Sequence, residues 1–398
     1  MNIRKQLNCL YLYSFASLLR ITNAVWVVLL AARGFSLWQI GLAEGIFHVT
    51  SLLCEIPSGM AADLLGRRRT LALSGLLGAF SSVAMVAGGS YGWVCLSMAF
   101  SALSYNMISG TQEAITYDSL VQAGRSGEYL QVDANVSILQ SLSGAISAAA
   151  SLLAGVLSYV GFYLLDALIA LTRSVAAFAL QEPAVTERQR ARQQAPFAAL
   201  PARFKEHASL SIRFLADNPS VTKKILADSM ISLPCYLTTM FLQQRLSELG
   251  LSTMLLGLPL IAVECCRMAA TAVGRRLHPR SMLGLYAACA LVGGAGTLAA
   301  GGAPIFWSVA GAMLAAGSCE VWFLHIQKNL NDAYPSDQRA TLVSVNSMVY
   351  SLLMIAVSPL VGWVGDLAGS AGAGLCLLGG LLALTALPAA LLLARRAG

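Results

Sequence analysis

The chain has 398 residues, of which 57% are hydrophobic and 11% are charged. Soluble domains carry about 25% charged residues, so the composition excludes a protein whose main solvent is water. The net charge of +7 is concentrated in the segments between apolar stretches. That placement indicates membrane topology and attraction to lipid headgroups, and it excludes nucleic acid as the expected partner.

About twelve apolar stretches approach or exceed the roughly 20 residues that a membrane-spanning helix needs. In chain order they cover residues 7–30, 37–58, 70–89, 93–121, 134–159, 162–180, 222–244, 253–273, 281–301, 304–328, 342–365 and 371–394. Backbone groups in hydrocarbon must be satisfied within their own segment, so each span is expected to be a helix. We therefore predict an all-α polytopic membrane protein with twelve transmembrane helices.

The turn between the second and third predicted spans carries the most informative motif. The stretch from Glu55 to Thr70 reads E-I-P-S-G-M-A-A-D-L-L-G-R-R-R-T. Its three consecutive arginines, Arg67 to Arg69, cannot enter hydrocarbon, so they place this turn on the cytoplasmic face. Asp63 lies four residues before Arg67, within reach of an ion-paired link between the two helix ends.

The chain divides after the sixth span. We predict a six-helix bundle over residues 1–180, a polar and proline-punctuated cytoplasmic loop over 181–221, and a second six-helix bundle over 222–398. Within the loop, residues 198–216 mix apolar and basic side chains, as in a helix that lies on the inner leaflet. A partly disordered linker is the alternative for this segment.

Three sequence fragments recur in the two halves in the same order, which indicates an internal repeat. They are Gly34-Phe35-Ser36 with Gly250-Leu251-Ser252, Gly66-Arg67-Arg68 with Gly274-Arg275-Arg276, and Gly110-Thr111-Gln112-Glu113 with Gly317-Ser318-Cys319-Glu320. Two parallel halves related in this way are typical of one large group of transporters.

The pattern G-x-x-x-D-x-x-G-R-R-R, together with the twelve spans, the basic central loop and the half repeat, resembles the major facilitator superfamily. The resemblance implies two pseudo-symmetric six-helix bundles and transport by alternating access. In that family the signature loop stabilises the outward-facing state, which implies a gating role for Gly59, Asp63, Gly66 and Arg67. Asp118, at the cytoplasmic end of the fourth span, is expected as a further partner of Arg67.

Sequence motifs of enzymatic chemistry are absent. The sequence contains no G-x-x-x-x-G-K-[ST], H-E-x-x-H or G-x-S-x-G pattern. The nine cysteines lie in or beside apolar runs and form no C-x-x-C, so we expect buried thiols rather than metal ligands. We therefore predict no enzyme, no cofactor and no metal, and an energy source in an ion gradient or in the gradient of the substrate.

Ionisable groups inside the spans are the main functional candidates, because each costs roughly 2.5–3.5 kcal/mol at a helix centre. Glu113 and Glu320 occupy equivalent positions of the repeat, on the fourth and tenth spans. In the family that the chain resembles, these spans line the central cavity. Low dielectric favours the protonated form of a carboxylate, so both residues are predicted to carry protons or to bind substrate. A structural carboxylate paired with Arg20 or with another helix is the alternative.

Three more residues complete the predicted proton-coupling and substrate set. Arg20 lies near the middle of the first span, where it either neutralises Glu113 or binds a substrate carboxylate. Glu44 and His48 are one helical turn apart in the second span, where they could form part of a proton path.

Two charged pairs in the spans are predicted to be structural. Glu264 and Arg267 are three residues apart in the eighth span, and Asp166 and Arg173 are seven residues apart in the sixth. Both spacings place the partners on one helix face.

Aromatic and amide side chains add further expectations. Tyr105, Tyr117, Tyr236 and Trp322 lie on the spans that line the cavity in the related family, where they either stack on an organic substrate or pack between helices. Asn135 and Asn346 begin the fifth and eleventh spans and are expected to form hydrogen bonds between helices.

Two kinds of transport and one other role fit the sequence. The first is proton-coupled export of small amphipathic or cationic organic compounds, which the excess of acids in the spans favours. The second is import of a small nutrient or organic anion by symport, which Arg20 and the lack of a G-x-x-x-G-P-x-x-G-G pattern in the fifth span favour. A membrane sensor that does not transport is the third. We expect a monomer in the inner membrane with both termini cytoplasmic, and a small molecule, protons and the lipid bilayer as partners.

Overall fold

The fold is described by a computed structural model that covers residues 2–183, 200–333 and 339–397. These residues contain helices and no strand. The helices are α1 (Ile3–Leu18), α2 (Trp26–Ala32), α3 (Leu37–Leu65), α4 (Arg67–Ala87), α5 (Tyr91–Ile108), α6 (Thr111–Gln122), α7 (Tyr129–Ala149), α8 (Tyr159–Phe178), α9 (Leu200–Asp217), α10 (Pro219–Glu248), α11 (Gly257–Gly274), α12 (Met282–Gly302), α13 (Ile305–Ala333), α14 (Arg339–Ala368) and α15 (Ala371–Ala397).

Ten helical segments of the described chain are long and apolar enough to cross a membrane, which confirms an all-helical polytopic fold. The other two predicted spans are interrupted, so the prediction of one continuous helix in each is wrong. The span predicted at 7–30 is broken at residues 19–25, between α1 and α2. The span predicted at 93–121 is broken at Ser109 and Gly110, between α5 and α6.

Local chemistry sets several of these boundaries. Asn2, Ser158 and Ser281 precede α1, α8 and α12, and each side chain accepts a hydrogen bond from a backbone amide of the first turn. Gly110 separates α5 from α6 with a φ of +73°, in the left-handed region that side chains rarely adopt. The interruption of the fourth span therefore has a visible cause in the sequence.

The first compact unit comprises Met1–Asn23 and Ile46–His207. Its core is a cluster of Leu7, Leu10, Tyr13, Leu71, Ala72, Ile115, Leu120, Val132, Ala176, Ala177 and Leu180. Helix α4 packs closely on α8 at Gly75, where an added Cβ would lie 2.7 Å from the carbonyl oxygen of Ala170. Small residues of this kind allow helices to approach each other in a membrane.

The second compact unit comprises Ala24–Gly45 and Ala208–Gly398. Two carboxylates from distant parts of this unit accept hydrogen bonds from the first backbone amides of helices. Asp366 binds the amides of Leu37 and Trp38, each at 2.8 Å, at the start of α3. Glu248 binds the amide of Ala371 at 2.9 Å, at the start of α15. Negative charge at these positions complements the helix dipole.

One fragment of the predicted repeat has the same backbone in both copies, and both copies lie in the second unit. The glycines have φ values of +88° at Gly34 and +92° at Gly250. Their amides close the ends of α2 and α10 by bonds of 2.9 Å to Ala31 and 3.0 Å to Ser247. The two copies of this fragment therefore end their helices in the same way, and the division into two repeated halves stays a prediction.

The other repeat fragments have different backbones in their two copies. Gly110 ends a helix in the first half, whereas Gly317 lies inside the continuous helix α13. Gly66 precedes α4 with a φ of +87°, whereas Gly274 ends α11 in a helical conformation. The central loop contains a helix, α9, in agreement with the helical alternative for residues 198–216.

Candidate functional site

The first unit contains a polar cavity of about 270 Å³. Four charged side chains line it: Arg20, Glu113, Asp166 and Arg173. The structure thus brings together two of the residues predicted to act on substrate or protons and the pair predicted to be structural. Tyr105, a predicted aromatic contact, lies in the same wall.

The interrupted first span supplies one side of the cavity, and its backbone amides bind side chains of neighbouring helices. The amide of Arg20 donates to Ser147 Oγ of α7 at 3.0 Å. The amides of Ile21 and Thr22 donate to the two carboxylate oxygens of Asp166 on α8, at 2.5 and 3.3 Å. The hydroxyl of Thr22 also donates to Asp166, at 2.5 Å. These bonds give the buried amides of Ile21 and Thr22 acceptors in place of helical ones.

Asp166 is structural, as predicted, but its partner differs from the predicted one. Its carboxylate is 7% exposed and binds the backbone of the interrupted span, whereas the guanidinium of Arg173 binds Ser74 and Ser104. The predicted Asp166–Arg173 pair is wrong. A contact between residues 145 positions apart in sequence replaces the expected one within α8.

Arg173 is a buried cation in the cavity wall. Its Nη2 donates to the carbonyl of Ser74 at 2.7 Å and to Ser104 Oγ at 2.8 Å, and its side chain is 7% exposed. Its Nε is buried and has no hydrogen-bond partner among the described residues. Gly78 provides the space, because a Cβ there would lie 2.7 Å from Nη2.

Arg20 presents a second guanidinium to the same cavity. Its Nη2 donates to Ser101 Oγ of α5 at 2.9 Å, and its backbone is fixed by Ser147. Arg20 and Glu113 line one cavity without forming an ion pair with each other in the described structure. The predicted neutralisation of Glu113 by direct pairing with Arg20 is therefore not observed.

Glu113 lies in the first turn of α6, directly after the interruption at Gly110. Its side chain is exposed to the cavity, and it forms no hydrogen bond or ion pair with another described residue. The phenol groups of Tyr13, Tyr105 and Tyr129 lie within electrostatic range of its carboxylate. Its place in the first turn puts the carboxylate at the positive end of the α6 dipole.

The signature loop forms a compact charged junction in the first unit. Arg67 forms an ion pair with Asp118, as predicted, and its Nη1 also donates to the carbonyl of Ala114 at 2.7 Å. Gly59 lies within α3, and no heavy atom lies within 4 Å of a Cβ built there. The side chain of Asp63 lies outside the described part of the structure, so its predicted contact stays a prediction.

Sequence reasoning missed Glu182, which caps this junction. Its two carboxylate oxygens accept hydrogen bonds from the amides of Arg67 and Arg68, each at 2.8 Å, at the start of α4. Gly66 turns the chain into this site with a φ of +87°, and a Cβ there would lie 3.2 Å from the Glu182 carboxylate. No local pattern in the sequence links two positions so far apart.

This cap gives a stability prediction. Glu182→Ala is expected to lower the free energy of unfolding by about 1–2 kcal/mol, because two amides at a helix N-terminus lose their acceptor. The measurement is thermal unfolding of the purified protein in detergent. Glu206→Ala is the control, since Glu206 is exposed on α9. Equal unfolding temperatures for the two variants would contradict the role of Glu182.

In the second unit, Glu320 is a partnered carboxylate. It accepts a hydrogen bond from Thr271 Oγ1 at 3.0 Å. The predicted pair of Glu264 and Arg267 is confirmed, with 3.4 Å between the charged groups, and Arg267 also lies 3.5 Å from Cys235 Sγ. Glu320 therefore differs from Glu113, its counterpart in the repeat, in having a hydrogen-bond donor of its own.

The two predicted residues of the second span have separate surroundings. Glu44 is 4% exposed and accepts a hydrogen bond from the Tyr236 hydroxyl at 2.8 Å, within the second unit. His48 is buried in the first unit, with its ring edge-on to Phe47 at 5.4 Å between centroids. The proton path predicted for Glu44 and His48 remains a prediction.

The predicted aromatic contacts also differ among themselves. Tyr105 lines the cavity and lies 5.9 Å from the ring of Phe47. Tyr117 is half exposed and packs edge-on against Tyr129. Trp322 is 2% exposed and packs edge-on against Tyr286, which is the arrangement of a ring packed between helices.

Two amide predictions are confirmed, and one of them identifies an acid that the sequence analysis overlooked. Asn135 donates to the Tyr11 hydroxyl at 3.2 Å, which links α7 to α1. Asn346 donates to Asp228 at 3.2 Å, which links α14 to α10. Asp228 is 5% exposed and lies inside a predicted span, so the sequence alone could have identified it as an ionisable group in the membrane.

Interrupted spans, a cavity lined by charged side chains and an ion-paired loop are features that membrane transporters share. The profile of the Major Facilitator Superfamily matches residues 9–359 of the chain. The chain therefore belongs to this superfamily of transporters.

One curated relative and several solved structures are similar to the chain. The uncharacterized MFS-type transporter YxaM of Bacillus subtilis is 30% identical over 105 residues, which span 25% of this chain and 26% of that protein. A mutant of the nucleoside transporter NupG has a TM-score of 0.78 at 15% identity, and the match covers 98% of this chain and 99% of that one. The human organic anion transporter MFSD10 (TETRAN) has a TM-score of 0.64 at 19% identity, with 98% and 100% covered. At these identities the similarity of the structures shows the fold.

Proposed function

We propose that this chain is a proton-coupled secondary transporter that moves a small organic solute by alternating access, with Glu113 as its proton site. The carrying observation is the position of Glu113: it lies in a cavity at an interrupted span and has no hydrogen-bond or ion-pair partner among the described residues. Ionisable groups within spans are costly, and in transporters they commonly mark proton and ion pathways.

The contrast with Glu320 supports this assignment. Glu320 occupies the position that the predicted repeat makes equivalent, but its carboxylate accepts a hydrogen bond from Thr271. We therefore assign the main coupling role to Glu113, and a secondary one to Glu320. The chain works, in this proposal, as a monomer in the inner membrane, with Arg67 to Arg69 on the cytoplasmic face.

The names of the similar structures support an organic cargo. They include a nucleoside transporter and an organic anion transporter, and both cargoes are small organic molecules. The two guanidinium groups in the cavity favour an organic anion as the transported solute over an organic cation, because a cation would be repelled by their positive charge.

The test uses proteoliposomes with an imposed pH gradient and three radiolabelled probes: benzoate, uridine and tetraphenylphosphonium. The wild-type protein is expected to accumulate a probe when the gradient is present. Glu113→Gln is expected to retain exchange of that probe without a gradient and to lose gradient-driven accumulation by at least about tenfold. The side of the membrane on which the probe accumulates gives the direction of transport.

Glu320→Gln is the matched control, because it removes a carboxylate from the equivalent position of the repeat. It is expected to retain most of the accumulation driven by the gradient. Wild-type accumulation by Glu113→Gln would overturn the assignment of the proton site. Failure of the wild-type protein to move any probe would count against an organic cargo of these three classes.

A further inference from the structure

We propose that the cavity of the first unit is a site for a monoanion, in which Arg20 and Arg173 bind a carboxylate or sulfonate group of the solute while Glu113 holds a proton. The assignment of the solute as cargo rests on the proposed transport function. The binding site itself rests on the two guanidinium groups and on the charges around them.

Arg173 is the first argument, because it is a buried cation that the protein leaves incompletely satisfied. Both of its hydrogen bonds come from one nitrogen, Nη2. Its buried Nε has no partner among the described residues, although a buried donor without an acceptor is costly. An anion in the cavity that Arg173 lines would provide acceptors for a cation otherwise bound only to Ser74 and Ser104.

Arg20 is the second argument, because it places another guanidinium in the same cavity with most of its donors unused. Its side chain makes one hydrogen bond, to Ser101. A guanidinium is a planar fork of donors that matches the geometry of carboxylates and related anions. Ser101 and Ser147 hold Arg20 from two different helices, so the fork is oriented before a ligand arrives.

Asp166 does not compete with the ligand for these cations. Its oxygens already accept three hydrogen bonds, from the amides of Ile21 and Thr22 and from the Thr22 hydroxyl. Those bonds keep the carboxylate turned toward the interrupted span. Its charge partly offsets that of the two arginines, while both of its oxygens already accept hydrogen bonds from protein donors.

The formal charges of the cavity residues couple binding of the anion to protonation of Glu113. With Glu113 ionised, the two arginines and the two acids of the cavity sum to zero, and with Glu113 protonated they sum to +1. A monoanion restores neutrality only in the second case. Anion and proton therefore promote each other's binding, which is a reciprocal coupling of two sites. The other groups that interact electrostatically with Glu113 are the phenols of Tyr13, Tyr105 and Tyr129, and Glu55 interacts with Tyr105.

The volume of the cavity limits the size of the anion. At about 270 Å³ it lies just below the range of roughly 300–1,000 Å³ that drug-sized ligands occupy. Benzoate and lactate are therefore better probes than large amphipathic compounds.

The experiment is isothermal titration of the purified full-length protein with benzoate, lactate and benzenesulfonate at about pH 5.5 and about pH 7.5, where all three probes are ionised. Benzamide is the neutral control for benzoate. We expect at least one anion to bind, benzamide not to bind, and the anion affinity to fall by up to about 100-fold at the higher pH, as one linked proton allows.

Variants make the assignment specific. Arg20→Gln is expected to weaken anion binding by at least about tenfold, and Arg276→Gln, at an exposed arginine of the second unit, is the matched control. Arg173→Lys keeps the buried positive charge and removes the fork of donors, so it is expected to weaken binding while the protein stays folded. In Glu113→Gln the cavity keeps its charge of +1, so anion affinity is expected to be high and independent of pH.

Several results would overturn the site: no binding of the three anions to the wild-type protein, binding of benzamide as tight as that of benzoate, or wild-type affinity in Arg20→Gln. A wild-type pH dependence that survives in Glu113→Gln would overturn the link to Glu113. These are equilibrium binding measurements, so they can fail while proton-driven transport succeeds, and the reverse.

Discussion

Asp166→Asn is expected to destabilise the protein by about 2–4 kcal/mol and to release the interrupted part of the first span. The carboxylate of Asp166 accepts three hydrogen bonds from Ile21 and Thr22. An amide of the same shape has one oxygen and one NH₂ group, so it turns a donor toward a donor at one of these positions. At least one backbone amide then stays unsatisfied at a depth where water cannot replace the acceptor.

Hydrogen exchange of a peptide that covers residues 19–25 measures this effect directly. The amides of Ile21 and Thr22 are expected to exchange slowly in the wild type and much faster in Asp166→Asn. Asp228→Asn is the matched control, because Asp228 is similarly buried, at 5% against 7% exposed, but accepts hydrogen bonds from the side chains of Ser232 and Asn346 rather than from backbone amides. Faster exchange at residues 19–25 in both variants would indicate general loosening and would contradict a local role for Asp166.

A milder variant keeps the prediction testable if Asp166→Asn does not fold. Thr22→Val removes the hydroxyl donor and leaves both backbone amides bound to Asp166, so a smaller loss, of about 1 kcal/mol, is expected. The same variants should weaken anion binding in proportion to the mobility of the segment, because Arg20 belongs to it. Unchanged affinity in a variant with fast exchange would show that Arg20 is positioned by Ser101 and Ser147 alone.

The interruption gives Arg20 a backbone conformation that a regular helix would not provide. A regular helix would carry Arg20 on a rigid face, and its backbone amides would have no need of outside acceptors. Irregular backbone is tolerated within a membrane where it lines a cavity or is buried in protein, and both conditions hold here. The interrupted backbone holds the Arg20 guanidinium at the cavity wall. Asp166 and Ser147 accept hydrogen bonds from the backbone amides that the interruption leaves without helical partners.

The positions of the spans could be predicted from hydropathy because bilayer thickness fixes how many apolar residues a helix needs. The two interruptions could not be predicted in the same way. Residues 19–25 include Ile21, Ala24 and Val25, so their hydropathy resembles that of the helices on either side. Gly110 was a readable sign of the second interruption, since glycine is the residue most often found in left-handed conformations.

Single residues of the candidate site could be predicted from the sequence, whereas contacts between residues on different helices could not. Charge within a span was enough to select Arg20 and Glu113, because ionisable groups there are costly. The spacing of Asp166 and Arg173 suggested a pair, but acceptors and donors from other helices compete with a partner on the same helix. Glu182 lies 115 positions from Arg67, whose backbone amide donates to it, and helical periodicity carries no information about such a contact.

The second large loss of stability is expected from a substitution at the contact between α12 and α15 in the second unit. Gly294→Val is expected to cost more than about 3 kcal/mol and to reduce the yield of folded protein. A Cβ at Gly294 would lie 2.7 Å from the amide nitrogen of Ala383 and 2.8 Å from the carbonyl oxygen of Gly379. Both are backbone atoms, so no side-chain rotation can relieve the overlap, and the two helices must move apart.

Gly380→Val is the matched control for this interface, because it places the same side chain on α15 at a position with no heavy atom within 4 Å. Thermal unfolding in detergent and the fraction of monodisperse protein after extraction are the measurements. Gly294→Ala is the milder variant, and it is expected to fall between the wild type and Gly294→Val, since one methyl group already meets the backbone of α15. In a membrane, helix association depends on such close packing rather than on the hydrophobic effect. Equal unfolding temperatures for Gly294→Val and Gly380→Val would therefore contradict the close approach of α12 and α15.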